Sequence, residues 1–184
     1  MVKKISLCLL VLLMLTGVCA AVQDEIYRVG PGDVLEVSVW RDETLSRELI
    51  VPPDRVLSFP LIGDVKVAGM AVAEIREAIR KKLSEYVPDA SLTVILKSIN
   101  SLSAFVIGQV KNPGTFPITM ETRVMHLLAM AKGLTPFASE RDIHVLRHTG
   151  GNIEKISFNY REVLRGNNLE QNILLKSGDV VVVP

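Results

Sequence analysis

The stretch Tyr27-Arg-Val-Gly-Pro-Gly-Asp-Val-Leu-Glu-Val-Ser-Val-Trp40 decides the expected fold of this chain. Its Gly-Pro-Gly-Asp segment is typical of a tight turn, because glycine and proline interrupt regular structure and an aspartate side chain can bond its own backbone. Apolar and polar residues then alternate, which predicts a half-buried strand with Leu35, Val37 and Val39 on its inner face. The fold therefore begins with a turn that leads into a strand.

Short strands and one helix are predicted between this first strand and residue 99. The strands are expected at residues 48–51, 56–59, 65–67 and 92–96, with a turn at 63–64. Over residues 71–86 apolar side chains recur every three or four positions, which predicts an amphipathic helix. The predicted apolar stripe comprises Val72, Ile75, Ile79, Leu83 and Tyr86. The charged side of this helix is either solvated or, as an alternative, a contact with a neighbouring subunit.

A second unit is predicted to begin near residue 102. Its strands are predicted at residues 105–110, 115–118, 143–146, 153–158 and 180–183. A helix capped by Thr122 is expected to end at Gly133, and a shorter one is expected at residues 159–164. The residues expected to be buried on the longer helix are Val124, Leu127, Leu128 and Ala131. Because strands surround a helix in each half, the pattern favours an α+β class with two small mixed domains that meet near residues 99–103.

The dipeptide Gly-Asp precedes a predicted strand three times, at residues 32–33, 63–64 and 178–179. A true internal repeat would preserve the flanking sequence and the spacing, and neither is preserved here. We therefore interpret the three copies as turn chemistry that recurs before a strand.

The first 21 residues have the pattern of a cleavable signal peptide. Lys3 and Lys4 precede an apolar run, and small residues follow it, so cleavage is expected after Ala20 or Ala21. The apolar run is shorter than the roughly 20 residues that a membrane-spanning helix needs. An alternative interpretation is a lipoprotein in which Cys19 carries the lipid, although Val18 before it is bulkier than this processing prefers.

Charge and composition argue against several classes of protein. Without the leader the chain carries 19 basic and 20 acidic residues, a balance unsuited to binding a polyanion such as nucleic acid. Aromatic residues make up 5% of the chain, and the only tryptophan, Trp40, is expected to pack in the core. Both cysteines, Cys8 and Cys19, lie in or at the end of the leader, so the mature chain is expected to have neither a disulfide framework nor a thiolate metal site.

Motifs for catalysis or cofactor binding are missing from the sequence. There is no phosphate-binding loop, no nucleophile elbow and no zinc-binding helix motif. His126, His144 and His148 are interpreted as structural or surface residues. Asp142 is placed to contact His144, but no nucleophile lies nearby in the sequence. We therefore expect no enzymatic activity, no metal and no cofactor.

Several of these segments together resemble one family. The Tyr27–Trp40 stretch, Val51-Pro-Pro-Asp54 and Phe59-Pro-Leu-Ile-Gly-Asp64 resemble the opening of bacterial polysaccharide export proteins. The segments Phe105-Val-Ile-Gly-Gln-Val-Lys-Asn-Pro-Gly114 and Ser177-Gly-Asp-Val-Val-Val-Val-Pro184 resemble a soluble-ligand-binding (SLBB) β-grasp domain. The resemblance implies a polysaccharide export domain over residues 24–99 and the β-grasp domain over residues 102–184.

The motifs that carry the resemblance imply structural turns. These turn residues are Gly30, Gly32, Asp33, Gly63, Asp64, Gly108, Pro113, Gly114, Gly178 and Asp179. The segments Phe158-Asn-Tyr and Asn167-Asn-Leu-Glu-Gln-Asn172 further resemble the short export proteins that accompany exosortase and PEP-CTERM sorting systems.

The resemblance implies a non-catalytic component of exopolysaccharide or capsule export, located in the periplasm or on the periplasmic face of the outer membrane. Its expected partners are further copies of itself in a ring, the polysaccharide chain, inner-membrane chain-length or polymerisation proteins, and a separate outer-membrane barrel. The barrel is expected because the sequence stops at Pro184, after a strand, without the pore-forming helix of larger members. The alternative functions are a periplasmic saccharide-binding or sensing module and, less favoured, a polysaccharide-modifying enzyme.

Overall fold

The computed structural model describes residues 26–88 and 91–184. The predicted leader, including Cys19, Ala20 and Ala21, lies outside the described residues. The described residues combine helices and sheets, in agreement with the predicted α+β class, and form three sheets and three α-helices. Buried apolar side chains form two separate clusters, one drawn from residues 29–94 and the other from residues 104–183. We refer to residues 26–98 as the first half and to residues 103–184 as the second half.

The first half contains an antiparallel three-stranded sheet, a hairpin and a helix. The sheet has the order β2-β1-β5, with β1 at Val34–Val39, β2 at Asp42–Ile50 and β5 at Leu92–Ser98. The hairpin consists of β3 at Val56–Phe59 and β4 at Gly63–Lys66. Helix α1, Val72–Leu83, packs on the sheet through β5. The alternation predicted for β1 is confirmed, since Leu35, Val37 and Val39 are all buried.

Helix α1 is shorter than its sequence pattern suggests. Ile75, Ile79 and Leu83 are fully buried, as predicted, but Tyr86 is 58% exposed and the assignment of this residue to the stripe is wrong. The helix ends at Leu83, and the chain turns before the ring of Tyr86 can face the core. At the other end, the Glu74 carboxylate accepts a hydrogen bond from the backbone N–H of Ala71 at 2.8 Å, which compensates for the missing side-chain cap.

The second half is built on a five-stranded sheet with the order β7-β6-β10-β8-β9. The strands are β6 (Ser103–Gly108), β7 (Gly114–Pro117), β8 (Ile143–Thr149), β9 (Asn152–Phe158) and β10 (Val180–Val183). The central strand β10 runs parallel to β6 and antiparallel to β8, and all other pairs are antiparallel. Helix α2 (Val124–Met130) contacts β6, and a shorter helix α3 (Tyr160–Leu164) follows β9.

The start of α2 differs from the prediction in one residue. Thr122 does not cap the helix, because its hydroxyl accepts a hydrogen bond from the backbone N–H of Thr119 at 2.8 Å and closes the preceding turn. Arg123, in an extended conformation, occupies the capping position instead. The predicted buried residues are correct: Val124, Leu127, Leu128 and Ala131 are all at most 1% exposed.

The prediction for Trp40 is wrong. β1 pairs with β2 so that Val39 lies opposite Asp42, which leaves Trp40 and Arg41 as a two-residue hairpin turn. Arg41 adopts a left-handed conformation with φ 62°, and Trp40 is 71% exposed. The ring therefore lies at the tip of a hairpin, beyond the end of the sheet and outside the core.

In the part of the chain that the structure describes, no helix is both long enough and apolar enough to cross a membrane.

Candidate functional site: the junction between the two halves

The buried carboxylate of Asp33 is the centre of the polar contacts between the two halves. It accepts hydrogen bonds from the backbone N–H groups of Gly30 at 2.8 Å, Asn100 at 2.9 Å and Ser101 at 2.9 Å. The hydroxyls of Tyr27 and Ser101 also donate to it. Three of these donors lie 67 or 68 residues further along the chain, so Asp33 fixes the segment that connects the halves.

The ionisation of the Tyr27–Asp33 pair follows from this geometry. Burial raises the pKa of Asp33, but the hydrogen bonds from Tyr27 and from the backbone of Gly30, Ser101 and Asn100 outweigh it, so the pKa lies below its ordinary value. Burial and the hydrogen bond to Asp33 raise the pKa of Tyr27 to about 12. At neutral pH the pair is therefore a charged acceptor and a neutral donor.

Two glycines permit the tight turn before Asp33, for different reasons. Gly32 has φ 90°, a conformation that residues with a side chain rarely adopt. Gly30 is needed for space instead, because a Cβ atom at this position would lie 2.6 Å from Cβ of Ser101. Gly30 thus allows the connecting segment to approach the turn closely.

A second turn of the same form leads into β10. Asp179 is 1% exposed and accepts from the backbone N–H of Lys176 at 2.8 Å, as Asp33 does from Gly30. Gly178 has φ 88°, close to that of Gly32. Asp179 differs in also binding the guanidinium of Arg147 through two bonds, of 3.0 and 2.6 Å. Hydrogen bonding to Asp179 raises the pKa of Arg147 above its ordinary value.

The two turns meet at the connecting segment. The Ser177 hydroxyl donates to the carbonyl of Ser101 at 2.7 Å, and the N–H of Gly178 donates to the carbonyl of Ser103 at 2.8 Å. We call the group Tyr27, Gly30, Asp33, Asn100, Ser101 and Ser177 the junction. No buried side-chain nitrogen or oxygen of the described residues lacks a hydrogen-bond partner. The junction is therefore a satisfied polar connection between the halves.

The structure does not bring the other predicted turn residues to the junction. Gly63 and Asp64 are exposed residues of the β3–β4 hairpin. Pro113 and Gly114 lie at the β6–β7 turn. Gly108, with φ 95°, ends β6 where a Cβ atom would lie 2.0 Å from the carbonyl oxygen of Val183, so only glycine fits there. These residues shape separate parts of the fold.

An apolar cleft of about 360 Å³ opens beside the junction. Ile26 and Arg28 line one side, and Ile118, Leu174 and Lys176 line the other. The cleft is large enough for a small ligand and offers few polar groups to orient one. Sequence reasoning missed it because its two walls come from segments that are more than 70 residues apart in the chain.

His126 and His144 make polar contacts only with residues close to them in the chain. His126 accepts a weak bond from the N–H of Arg123 at 3.3 Å, and His144 contacts the carbonyl of Asp142 at 3.1 Å. The Asp142 carboxylate binds the Ser139 hydroxyl and is not placed to orient His144. Among residues 26–88 and 91–184 no group of three or more His, Cys, Asp or Glu side chains is arranged to hold a metal ion.

Comparison with known families divides the chain at the same place. Residues 21–97 match the family described as polysaccharide biosynthesis/export protein, and residues 102–183 match the SLBB domain. The chain belongs to the polysaccharide export family, in the form with an SLBB domain. The boundary between the two matches falls at the connecting segment that Asp33 holds.

Similar proteins carry related names. Over 85% of its length the chain is 28% identical to the polysialic acid transport protein KpsD of Escherichia coli, of which it spans 28%. It is 26% identical to the EPS I polysaccharide export outer membrane protein EpsA of Ralstonia nicotianae, covering 85% of the chain and 47% of that protein. It is 25% identical to the capsule polysaccharide export outer membrane protein CtrA of Neisseria meningitidis, covering 83% of the chain and 43% of that protein. The chain thus spans less than half the length of each relative.

Proposed function

We propose that this protein is a non-enzymatic component of an exopolysaccharide or capsule export complex. The observation that carries the proposal is the match of both halves, in order, to an export-protein family and to an SLBB domain. The names of the similar proteins, which are polysaccharide transport and export proteins, support the same class of function.

In this proposal the protein assembles with further copies of itself into a ring through which the polymer passes. Conduction requires contacts strong enough to admit the polymer and weak enough to release it, a requirement shared with ion channels. The junction supports this role, because a ring of fixed dimensions needs subunits whose two modules, residues 24–99 and 102–184, keep one orientation. Inner-membrane chain-length or polymerisation proteins and an outer-membrane barrel would complete the path.

The proposed location is the periplasm or the periplasmic face of the outer membrane. It rests on the signal-peptide pattern of residues 1–21, with cleavage after Ala20 or Ala21, and on the outer-membrane names of similar proteins. Lipid attachment at Cys19 is the competing form of processing. Palmitate labelling of the wild type and of Cys19→Ser distinguishes the two: label lost in the variant indicates a lipoprotein, and an unlabelled wild type indicates simple cleavage.

Deletion of the gene in its own organism tests the proposed function. We expect extracellular polysaccharide to fall sharply and polymer to accumulate inside the cell, and a plasmid copy of the wild type to restore export. A deletion strain that exports as much polymer as the parent would contradict the proposal.

A saccharide-binding or sensing module is the second candidate, favoured by the cleft beside the junction. Such a module would bind a specific oligosaccharide tightly, whereas a conduit should bind polymer weakly. Calorimetric titration with oligosaccharides separates them: a single-site, submicromolar complex favours the sensor, and weak binding without selectivity favours the conduit.

A further inference from the structure

The five-stranded sheet carries an apolar face that no other part of the described chain covers. Paired positions place Phe105, Val180 and Leu146 in one row across the sheet and Ile107 and Val182 in the next. These side chains point away from the core, and Phe105 and Ile107 are 38% and 48% exposed. Apolar patches on a protein surface mark interaction sites when polar residues surround them.

The rim of this face is neutral to basic. The strand residues that share the face around the apolar centre are the polar Ser103, Thr115, His144, His148, Lys155 and Ser157 and the apolar Pro117 and Ile153. None of the face's strand residues is a carboxylate. An apolar centre inside a polar rim is the usual arrangement of a protein–protein interface.

The three-stranded sheet of the first half has a complementary outer face. Val34 lies opposite Ile50, and Glu36 lies opposite Glu48 and Ile95. Ile50 and Ile95 are 68% and 50% exposed, on the side of the sheet away from α1. Lys97 pairs with both glutamates, so the face holds two carboxylates and one ammonium group. The net charge of this outer face is negative, whereas the open face of the five-stranded sheet is positive because of Lys155.

We propose that the open face of the five-stranded sheet docks onto the outer face of the three-stranded sheet in a second copy of this chain. Charge decides between the two ways of pairing copies. If two copies met through the five-stranded face of each, Lys155 and the histidines of one copy would face the same basic residues of the other. If the five-stranded face of one copy meets the three-stranded face of the other, Lys155 approaches Glu36 and Glu48. Contacts between different faces are heterologous and generate rings when the rotation closes. The inference rests on the proposed function and names the surfaces that would build its ring.

Two variants test the pairing. Ile107→Glu places a carboxylate in the centre of one face, and Ile95→Glu does so in the other. Burying a charge in an apolar contact should lower the association constant by about a hundredfold or more, so each variant alone should be monomeric by light scattering. In a mixture, the intact three-stranded face of Ile107→Glu can still bind the intact five-stranded face of Ile95→Glu. An equimolar mixture should therefore form a two-chain complex that cannot grow.

Phe137→Glu is the matched control, because Phe137 is 86% exposed and lies in a loop outside both faces. This variant should assemble as the wild type does, and circular dichroism should show all three variants to be folded. Assembly of Ile107→Glu or Ile95→Glu at wild-type size, or a mixture that stays monomeric, would overturn the pairing. A dimer that only Ile107→Glu disrupts would indicate identical faces and would also overturn it.

Failure of the pairing is distinguishable from failure of the proposed function. If the wild type assembles and both variants assemble equally well, the faces are wrong and the export proposal stands. A wild-type protein that stays monomeric at high concentration would contradict both the proposed ring and the proposed pairing of the two faces. A deletion strain with undiminished export refutes the function whatever the oligomeric state.

Discussion

The turns at residues 30–33 and 176–179 have the same backbone and serve different purposes. In each, an aspartate accepts a hydrogen bond from the N–H three residues earlier, a glycine with φ near 90° precedes it, and a strand follows. Asp33 then binds residues 67 and 68 positions away, whereas Asp179 binds Arg147 within its own half. A common local turn thus becomes either a connection between halves or a support inside one.

The first position of each turn reflects this difference. Gly30 stands where Ser101 approaches so closely that no Cβ atom fits. Lys176 occupies the equivalent place in the second turn, where its backbone N–H donates to Asp179. The residue that a turn tolerates therefore depends on what packs against it as well as on its backbone conformation.

The largest expected effect comes from removing the Asp33 carboxylate. Asp33→Ala leaves five donors without their acceptor, so the free energy of unfolding should fall by about 4 kcal/mol. Urea denaturation measures this change. The control is Asp64→Ala, the exposed member of the Gly-Asp series, which should change stability by less than about 0.5 kcal/mol. Equal losses of stability in Asp33→Ala and Asp64→Ala would show that the contacts of Asp33 with the connecting segment do not stabilise the fold.

Asp179→Ala should have the next largest effect. It leaves the Arg147 guanidinium, whose side chain is 14% exposed, without its carboxylate, at a cost of about 3 kcal/mol. Replacing both partners, as in Asp179→Leu with Arg147→Met, should recover part of the loss in the same urea experiment, because no unpaired charge remains although the Lys176 N–H still lacks its acceptor. A double variant as unstable as Asp179→Ala would show that the ion pair is not the reason.

Gly30→Ala tests the close approach of the connecting segment. The added Cβ atom overlaps Ser101, so stability should fall by about 2 kcal/mol. In a Ser101→Gly background the same substitution should cost less than about 1 kcal/mol, because the overlapping atom is gone. The same cost in both backgrounds would contradict this explanation of Gly30.

The smallest effect is expected for Tyr27→Phe, which removes one donor to Asp33 and should cost about 1 kcal/mol at neutral pH. The pKa of Tyr27 is raised from 10.0 to about 12 in the folded state, so the unfolded chain loses this proton first. The wild type should therefore lose stability as the pH rises from 10 to 12, and Tyr27→Phe should lose less. Parallel pH profiles for the two proteins would rule out the raised pKa.

The sequence predicted the parts of the fold that depend on local periodicity. The buried face of β1, the apolar residues of α2 and the β8–β9 hairpin all follow from alternation, helical spacing or turn residues. Trp40 and Tyr86 were misplaced because the periodic pattern continues past the residue at which the strand or helix ends.

The junction was only half predictable. The turn residues Gly30, Gly32 and Asp33 stand out in the sequence, but nothing local indicates that Asp33 binds Asn100 and Ser101. The Arg147–Asp179 pair is hidden for the same reason, since its members lie 32 residues apart. Such contacts arise only when the tertiary fold brings distant segments together.

Hydrogen–deuterium exchange at the amides of Asn100 and Ser101 tests most directly whether Asp33 holds the two halves together. Both amides should exchange at least about a hundredfold more slowly than unprotected ones in the wild type, and rapidly in Asp33→Ala. The amide of Val181, in the central strand of the second half, serves as the internal reference for global unfolding. Rapid exchange at Asn100 and Ser101 in the wild type, with Val181 still protected, would contradict the account.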